Sequence, residues 1–291
     1  MNSKNDVHQR WFAFFRSGIV YALLSGWMIV VYFPLYWTAI TSFKAYVATL
    51  DATYVPWVDF TPTLDTWNEM LTGVQSRRII QAFINSTIIS LASATFAVVL
   101  GSMAGYGLAR FHYRFGKWRN NEIAFWFISQ RMMPPAAAVL AFMVMYRVLN
   151  LLDTQFGLIL AYVSFNLPTV IWIMRDFLLQ MPRDLEDSAM IDGASRLLAF
   201  WKVVVPLAAP SIVAVFIFSF IFTWNEYLFA LILTFNNVAT VPLLLAAQVT
   251  SIGVQWSKMA VLTGISLVPS IICAVLLERY IARGLLSGAI K

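Results

Sequence analysis

The one long hydrophilic interruption of the sequence, residues 182–210, contains four acidic residues. Their carboxylates could bind a basic partner. The stretch reads PRDLEDSAMIDGASRLLAFWKVVVPLAAP, and its acids are Asp184, Glu186, Asp187 and Asp192. An anionic membrane surface would repel these side chains, whereas a protein surface that carries Arg or Lys would attract them. The residue types therefore indicate docking to a protein. The alternative is a solvated amphipathic connector.

A short helix is predicted to position these acids. Asp184 can cap it, Leu185, Ala189 and Met190 lie at helical spacing, and Gly193 would end it. A helix of about nine residues is about 13 Å long. It is too short to cross a bilayer and too short to be stable alone in water, so it needs a surface to pack against.

A second polar cluster, Thr223-Trp224-Asn225-Glu226-Tyr227, lies in a predicted membrane span. A carboxylate and an amide can bind sugar hydroxyls, and aromatic rings can stack on sugar ring faces. We predict that Trp224, Asn225, Glu226 and Tyr227 line a translocation path. In the alternative, Glu226 pairs with a partner subunit and the rings belong to the interfacial aromatic belt.

Arg131 is the one basic residue placed deep in a predicted span, within Gln130-Arg131-Met132-Met133-Pro134-Pro135. The two prolines break the backbone hydrogen-bond ladder at membrane depth, which is tolerated only where protein or a cavity satisfies the freed carbonyls. An intramembrane charge is costly unless it faces a partner or water. Arg131 is therefore predicted to line the same path or support a gate, or else to form a structural ion pair.

The sequence lacks the residue patterns for nucleotide binding, metal binding and disulfide formation. No G-x-x-x-x-G-K-[ST] motif occurs, and the only Gly-Lys pair, Gly116-Lys117, is followed by Trp118. His8 and His112 have no Cys or second His at ligand spacing, so we expect no metal site. The single Cys273 excludes a disulfide framework. We expect no enzymatic activity and no cofactor on this chain, and any ATP would be bound by another chain.

Composition indicates a polytopic membrane protein. The chain is 60% hydrophobic and 12% charged, with a mean hydropathy of +0.74. We predict six helical spans with short loops, near 19–42, 84–108, 123–149, 157–179, 211–233 and 259–277. In the second, Gly101 and Gly105 form a small-residue face for close helix packing. Before the second, Thr63 is predicted to cap a surface helix over 63–71.

Basic residues orient the predicted spans. With both termini in the cytoplasm, fourteen Lys or Arg lie inside and five outside, and Arg131 stays in the membrane. The positive-inside rule therefore favours cytoplasmic termini. Residues 1–18 then form a cytoplasmic segment, 19–291 the membrane domain, 182–210 a cytoplasmic loop and 234–257 an outer loop.

The acidic stretch resembles the EAA loop of binding-protein-dependent ABC importer permeases, a pattern of EAA, three residues, Gly, about nine residues, an aliphatic residue and Leu-Pro. Asp187-Ser188-Ala189 occupies the EAA positions, Gly193 lies at the matching distance, and Val205-Pro206 stands for Leu-Pro. The six-span layout is also similar to the carbohydrate branch of the family, the maltose-type permeases.

The resemblance implies an all-α, type I ABC importer permease fold in a bacterial inner membrane. It implies a second homologous permease subunit, a dimer of ATPase chains that bind ATP and magnesium, and a periplasmic or lipid-anchored solute-binding protein that contacts the outer loop. It further implies uptake of a sugar, oligosaccharide or polyol by alternating access. The residues expected to dock the ATPase are Glu186, Asp187, Ser188, Ala189, Asp192 and Gly193, and either Glu186 or Asp187 supplies the pairing carboxylate.

An ion-coupled secondary transporter is the other class that fits a polytopic chain. It would need paired intramembrane acids or an inverted repeat. Only Glu226 lies clearly within a predicted span, and the sequence has no convincing internal repeat.

Overall fold

The computed structural model describes the backbone of residues 3–251 and 253–288, and the side chains of 16–251, 253–276 and 278. Residues 1–2 and 289–291 of the two predicted cytoplasmic ends lie outside this part of the chain. The protein divides into two compact units, one made of residues 1–74 and 248–265, the other of 75–247 and 266–291.

The described chain is mostly helical, as predicted. In chain order, the helices are α1 (Ser3–Thr41), α2 (Asp65–Thr72), α3 (Ser76–Arg110), α4 (Asn120–Ser129), α5 (Pro135–Val148), α6 (Gln155–Gln180), α7 (Asp184–Ile191), α8 (Arg196–Ala199), α9 (Val205–Leu207), α10 (Ala209–Trp224), α11 (Leu228–Leu233), α12 (Val241–Ala246) and α13 (Trp256–Gly288). Short 3-10 turns occur at Val47–Thr49 and Gln130–Met132, and a π-helical turn at Phe200–Val204. Antiparallel hairpins pair β1 (Arg114–Phe115) with β2 (Trp118–Arg119) and β3 (Val249–Thr250) with β4 (Gly253–Val254).

Four described helices are long and apolar enough to cross a membrane: Arg16–Thr41 within α1, then α3, α6, and Trp256–Leu276 within α13. Two bent pairs raise the number to six if each pair is one span. Asn120–Met132 meets Pro135–Val148 at 91°, and Arg196–Leu207 meets Ala209–Trp224 at 77°. The first bend lies at the predicted break beside Pro134 and Pro135, where the missing N–H groups interrupt the helix.

Small residues let α3 and α6 pack closely in the larger unit. A Cβ added at Gly101 would lie 2.5 Å from Val170 Cγ1, and one added at Gly105 would lie 2.9 Å from the Arg175 backbone nitrogen. Neither position has room for a side chain, which confirms the predicted close approach. This pair of helices forms the frame that carries both candidate sites.

Two predicted helix caps are wrong. Thr63 does not begin α2, because its backbone N–H donates to the Phe43 carbonyl at 2.8 Å and the chain becomes helical only at Asp65, after Leu64. Asp184 is the first residue of α7 and not its cap. The capping position is held by Arg183, whose side chain accepts no hydrogen bond there. Acids in the first turn still favour α7 through the helix dipole.

Candidate functional site

Gly193 ends α7 in the way that a turn with positive φ requires. Its φ is +91°, its N–H donates to the Met190 carbonyl at 3.1 Å, and the Ala194 N–H donates to the Ala189 carbonyl at 3.0 Å. This pair of bonds is the Schellman motif, which favours glycine at its left-handed position. The predicted end of the helix at Gly193 is confirmed.

Glu186 points into the protein. It is 5% exposed, and its carboxylate accepts hydrogen bonds from Arg110 Nε at 2.6 Å and from the Tyr106 hydroxyl at 2.9 Å. Arg110 also donates to the carbonyls of Leu178 at 2.7 Å and Met181 at 3.1 Å. One guanidinium therefore joins α7 to the ends of both α3 and α6. Of the two carboxylates predicted to pair with an ATPase, Glu186 is therefore buried within the chain, and Asp187 is exposed.

The opposite side of α7 is open. Asp187, Ser188, Asp192 and Gly193 are exposed, and Ala189 is half-buried. Ile191 beside them is 86% exposed, and a Cβ added at Gly193 would meet no atom within 4 Å. A surface of small, acidic and apolar groups without neighbours of its own is suited to a protein partner.

The segment after α7 is anchored by Phe200. This side chain is 4% exposed, and its ring centroid lies 4.7 Å from that of Tyr106, the residue that also binds Glu186. Phe200 begins the π-helical turn, which runs into α9 and Pro206. Since proline donates no backbone hydrogen bond, an irregular turn before it is expected. The loop is therefore anchored at two points, at α7 through Glu186 and at the π-helical turn through Phe200.

The polar cluster at 223–227 is divided by the structure. Trp224 is 1% exposed, and its indole N–H donates to the Ser266 carbonyl at 3.1 Å. Trp224 is therefore a core side chain in this structure, and its part in a translocation path stays a prediction. Asn225 and Tyr227 are exposed and follow the end of α10.

Glu226 organises the break between α10 and α11. Its carboxylate accepts hydrogen bonds from the Tyr162 hydroxyl at 2.7 Å and from the Phe229 N–H at 3.0 Å. A carboxylate at the start of a helix satisfies backbone donors that have no partner in the helix. Sequence alone suggested cargo or a partner subunit for Glu226. The structure adds this internal role.

Arg131 lies near the same helices. Its Nη1 donates to the Phe165 carbonyl at 3.0 Å, and its guanidinium lies 4.6 Å from the Phe222 ring centroid. Among the described residues, no carboxylate forms a salt bridge with Arg131. Within the described residues, the charge is stabilised by a carbonyl dipole and aromatic faces.

Asp153 holds the beginning of the 234–257 loop. Its carboxylate accepts four backbone N–H bonds of 2.9–3.1 Å, from the consecutive residues 235–238. Burial raises the pKa of this carboxyl, but the four donors outweigh burial and hold the pKa below its ordinary value of 3.8. Sequence reasoning missed Asp153, because an acid in a short loop is usually only solvated.

These features define a membrane-embedded, multi-pass helical protein that presents a rigidly held acidic helix in a loop between its spans. Residues 97–287 match the family described as "Binding-protein-dependent transport system inner membrane component". The chain belongs to this family of ABC importer permeases, in which the EAA loop is characteristic.

Several relatives carry transport names. The chain is 35% identical over 261 residues to the trehalose transport system permease protein SugB of Mycobacterium tuberculosis, covering 89% of this chain and 92% of that protein. It is 31% identical over 262 residues to the diacetylchitobiose uptake system permease protein DasC of Streptomyces coelicolor, covering 89% and 91%. It is 30% identical over 268 residues to the trehalose/maltose transport system permease protein MalG of Thermococcus litoralis, covering 90% and 92%.

A solved structure has the same fold. A chain from the crystal structure of a bacterial ABC transporter involved in the import of the acidic polysaccharide alginate matches with a TM-score of 0.70 at 20% identity. The match covers 90% of this chain and 95% of that chain. The predicted type I importer fold is therefore confirmed.

Proposed function

We propose that this chain is one of two homologous transmembrane subunits of an importer for a sugar, oligosaccharide or polyol, with ATP and magnesium bound by separate ATPase chains. The observation that carries the proposal is the fixed acidic helix α7, whose one face is pinned by Glu186 while the other remains open. The relatives named for trehalose, diacetylchitobiose and maltose transport support the cargo class.

The exposed face of α7 is the proposed contact with the ATPase. Asp187 supplies the carboxylate for a basic residue of the partner, while Ser188 and Ala189 allow close approach. Because the Arg110–Glu186 pair links α7 to α3 and α6, a displacement of α7 moves these helices with it. Contacts that differ between two states of the ATPase can in this way drive alternating access.

The proposed path uses the polar groups near the α10–α11 break. Asn225 and Tyr227 are exposed and can exchange hydrogen bonds with cargo hydroxyls. The Glu226 side chain contacts Tyr162 on α6, and the Arg131 side chain packs against Phe222 on α10. A neutral, hydroxyl-rich cargo suits such a set of groups, because hydrogen bonds and ring contacts bind it without a net charge.

We also propose the arrangement in the membrane. Six spans, with each bent pair crossing once, place both termini and the 182–210 loop in the cytoplasm of a bacterial cell. The 234–257 loop then faces the solute-binding protein outside the inner membrane. Labelling single cysteines from each side of the membrane tests this arrangement, and outside labelling of residue 187 would contradict it.

The proposed function is tested by reconstitution in vesicles with the cognate ATPase, partner permease and solute-binding protein. Uptake of labelled disaccharide should require ATP and the binding protein and should persist when ionophores abolish ion gradients. An ion-coupled transporter would give the opposite result.

A pair of glycine variants tests the docking face within this assay. Gly193 and Gly116 both have positive φ, and a Cβ at either would meet no atom within 4 Å. Asparagine tolerates such a conformation, so both Gly193→Asn and Gly116→Asn should fold. Only Gly193→Asn should lose uptake, because only there would the side chain enter the ATPase contact. Normal uptake by this variant would contradict the docking proposal.

A further inference from the structure

Four arginines line a cavity of about 470 Å³ that lies outside the two candidate sites described above. The cavity lies where α3 and α6 end, beside the β1–β2 hairpin. Its lining includes the four cations Arg114, Arg119, Arg175 and Arg183, and none of the lining residues is acidic. Such a concentration of positive charge without a lining carboxylate attracts anions.

Arg175 makes the charge a built feature. The residue is 7% exposed, and one Nη donates to Asn121 Oδ1. The other donates at 3.2 Å to Asp176, whose side chain is 46% exposed. The buried Nε has no hydrogen-bond partner in the structure. Since buried guanidinium donors are normally satisfied, Arg175 keeps one donor unused at the lining of the cavity.

The neighbouring hairpin has the composition of a segment that lies in the membrane interface. Phe115 is 85% exposed and Trp118 is 46% exposed, and both alternate with exposed cations in the order Arg114, Phe115, Lys117, Trp118, Arg119. Trp126 on α4, the helix that follows the hairpin, is 46% exposed. Aromatic rings with adjacent Arg and Lys are typical of the headgroup level of a bilayer.

We propose that this cavity binds the phosphate of an anionic phospholipid from the leaflet into which the hairpin dips. Both α3 and α6 are of span length and end at the cavity, so a headgroup reaches it without leaving the bilayer. Bidentate guanidinium groups match phosphate oxygens. The exposed rings of the hairpin cover the acyl chains near the headgroup. A soluble phosphate compound would have no use for these rings.

Native mass spectrometry of the full chain, released from detergent after delipidation, tests the proposal. Phosphatidylglycerol and phosphatidylcholine with identical acyl chains are the probes. We expect tight retention of phosphatidylglycerol by the wild type. Each arginine near an anionic surface contributes about five-fold in affinity, so Arg114→Gln/Arg119→Gln/Arg183→Gln should weaken retention on the order of 100-fold.

A matched control removes the same charge elsewhere. Arg77, Arg78 and Arg147 are exposed and belong to the first turn of α3 and the last turn of α5. The triple glutamine variant at these positions should retain phosphatidylglycerol like the wild type. The single variant Arg114→Gln, on the exposed hairpin, gives a reading of about five-fold if the cavity triple does not fold.

Three outcomes would overturn the proposal. Equal retention of both lipids would show that charge is not read. Equal loss in cavity and control variants would show a diffuse effect of net charge. Displacement of phosphatidylglycerol by millimolar inorganic phosphate would assign the cavity to a soluble anion. None of these results depends on ATP or on uptake, so failure here leaves the transport proposal unaffected.

Discussion

The buried contact of Glu186 offers a quantitative test of how α7 is held. In Glu186→Ala, Arg110, whose side chain is 4% exposed, loses a charged acceptor at 2.6 Å, and Tyr106 loses an acceptor at 2.9 Å. Removing one partner of a buried ion pair costs about 3–5 kcal/mol. Arg110 keeps its bonds to the Leu178 and Met181 carbonyls, so we expect the lower end, about 3 kcal/mol.

Hydrogen exchange at the amides of α7 measures this loss of stabilising free energy. A loss of about 3 kcal/mol changes the equilibrium between docked and released α7 on the order of 100-fold. The amides of residues 186–192 should exchange faster by about that factor. The amides of α3 that precede Ala97 in the chain should stay protected. In the assembled importer, ATP hydrolysis should continue and uptake should fall, because a displacement of α7 would no longer move α3 and α6.

Two further variants separate the ion pair from the helix itself. Asp184→Ala removes an exposed acid from the first turn of the same helix, and it should cost no more than about 1 kcal/mol through the helix dipole. Arg110→Met/Glu186→Leu replaces both charges with apolar groups and should recover much of the loss. If Glu186→Ala exchanges no faster than Asp184→Ala, the buried pair does not hold α7 and the reasoning is refuted.

Three other changes test features of the fold. Asp153→Ala removes the acceptor of four backbone donors and should destabilise the 234–257 loop by about 1–2 kcal/mol. Since the folded pKa of Asp153 lies below 3.8, its contribution is present at pH 7 and is lost as pH falls below that value, which thermal unfolding of both proteins across pH would measure. Lys44, 1% exposed, has its pKa lowered by burial, with Asp59 opposing, so the wild type should gain stability as pH rises towards 10.5, and Lys44→Met should lose that slope in the same measurement. Gly105→Leu should separate α3 from α6 and reduce folded yield on size-exclusion chromatography, whereas Gly26→Leu, where a Cβ meets nothing within 4 Å, should not.

Much of the architecture follows from local sequence patterns. Long apolar runs predict the spans because a bilayer requires them, and Pro134 and Pro135 predict the break in the third. Gly193 predicts the end of α7 because few other residues adopt its backbone conformation.

Contacts between distant residues explain what sequence could not supply. Neighbouring acids gave no means to choose between Glu186 and Asp187, and the choice depends on Arg110, which lies 76 positions away. Sequence alone could not show that Ser266 and Phe83 contact Trp224 and help to bury its ring. Asp153 acquires its role only where the chain 82–85 positions later passes over it.

The Asp153 carboxylate binds residues 235–238 through their backbone N–H groups. The four bonds involve no side-chain atom of residues 235–238. The exposed positions 235–237 can therefore exchange side chains while the anchor is kept, whereas Val238 is 5% exposed and packs in the core. Proline alone is excluded, because it has no N–H to donate. During divergence, the exposed surface of this loop can therefore change by point substitution without loss of its attachment to the helical bundle.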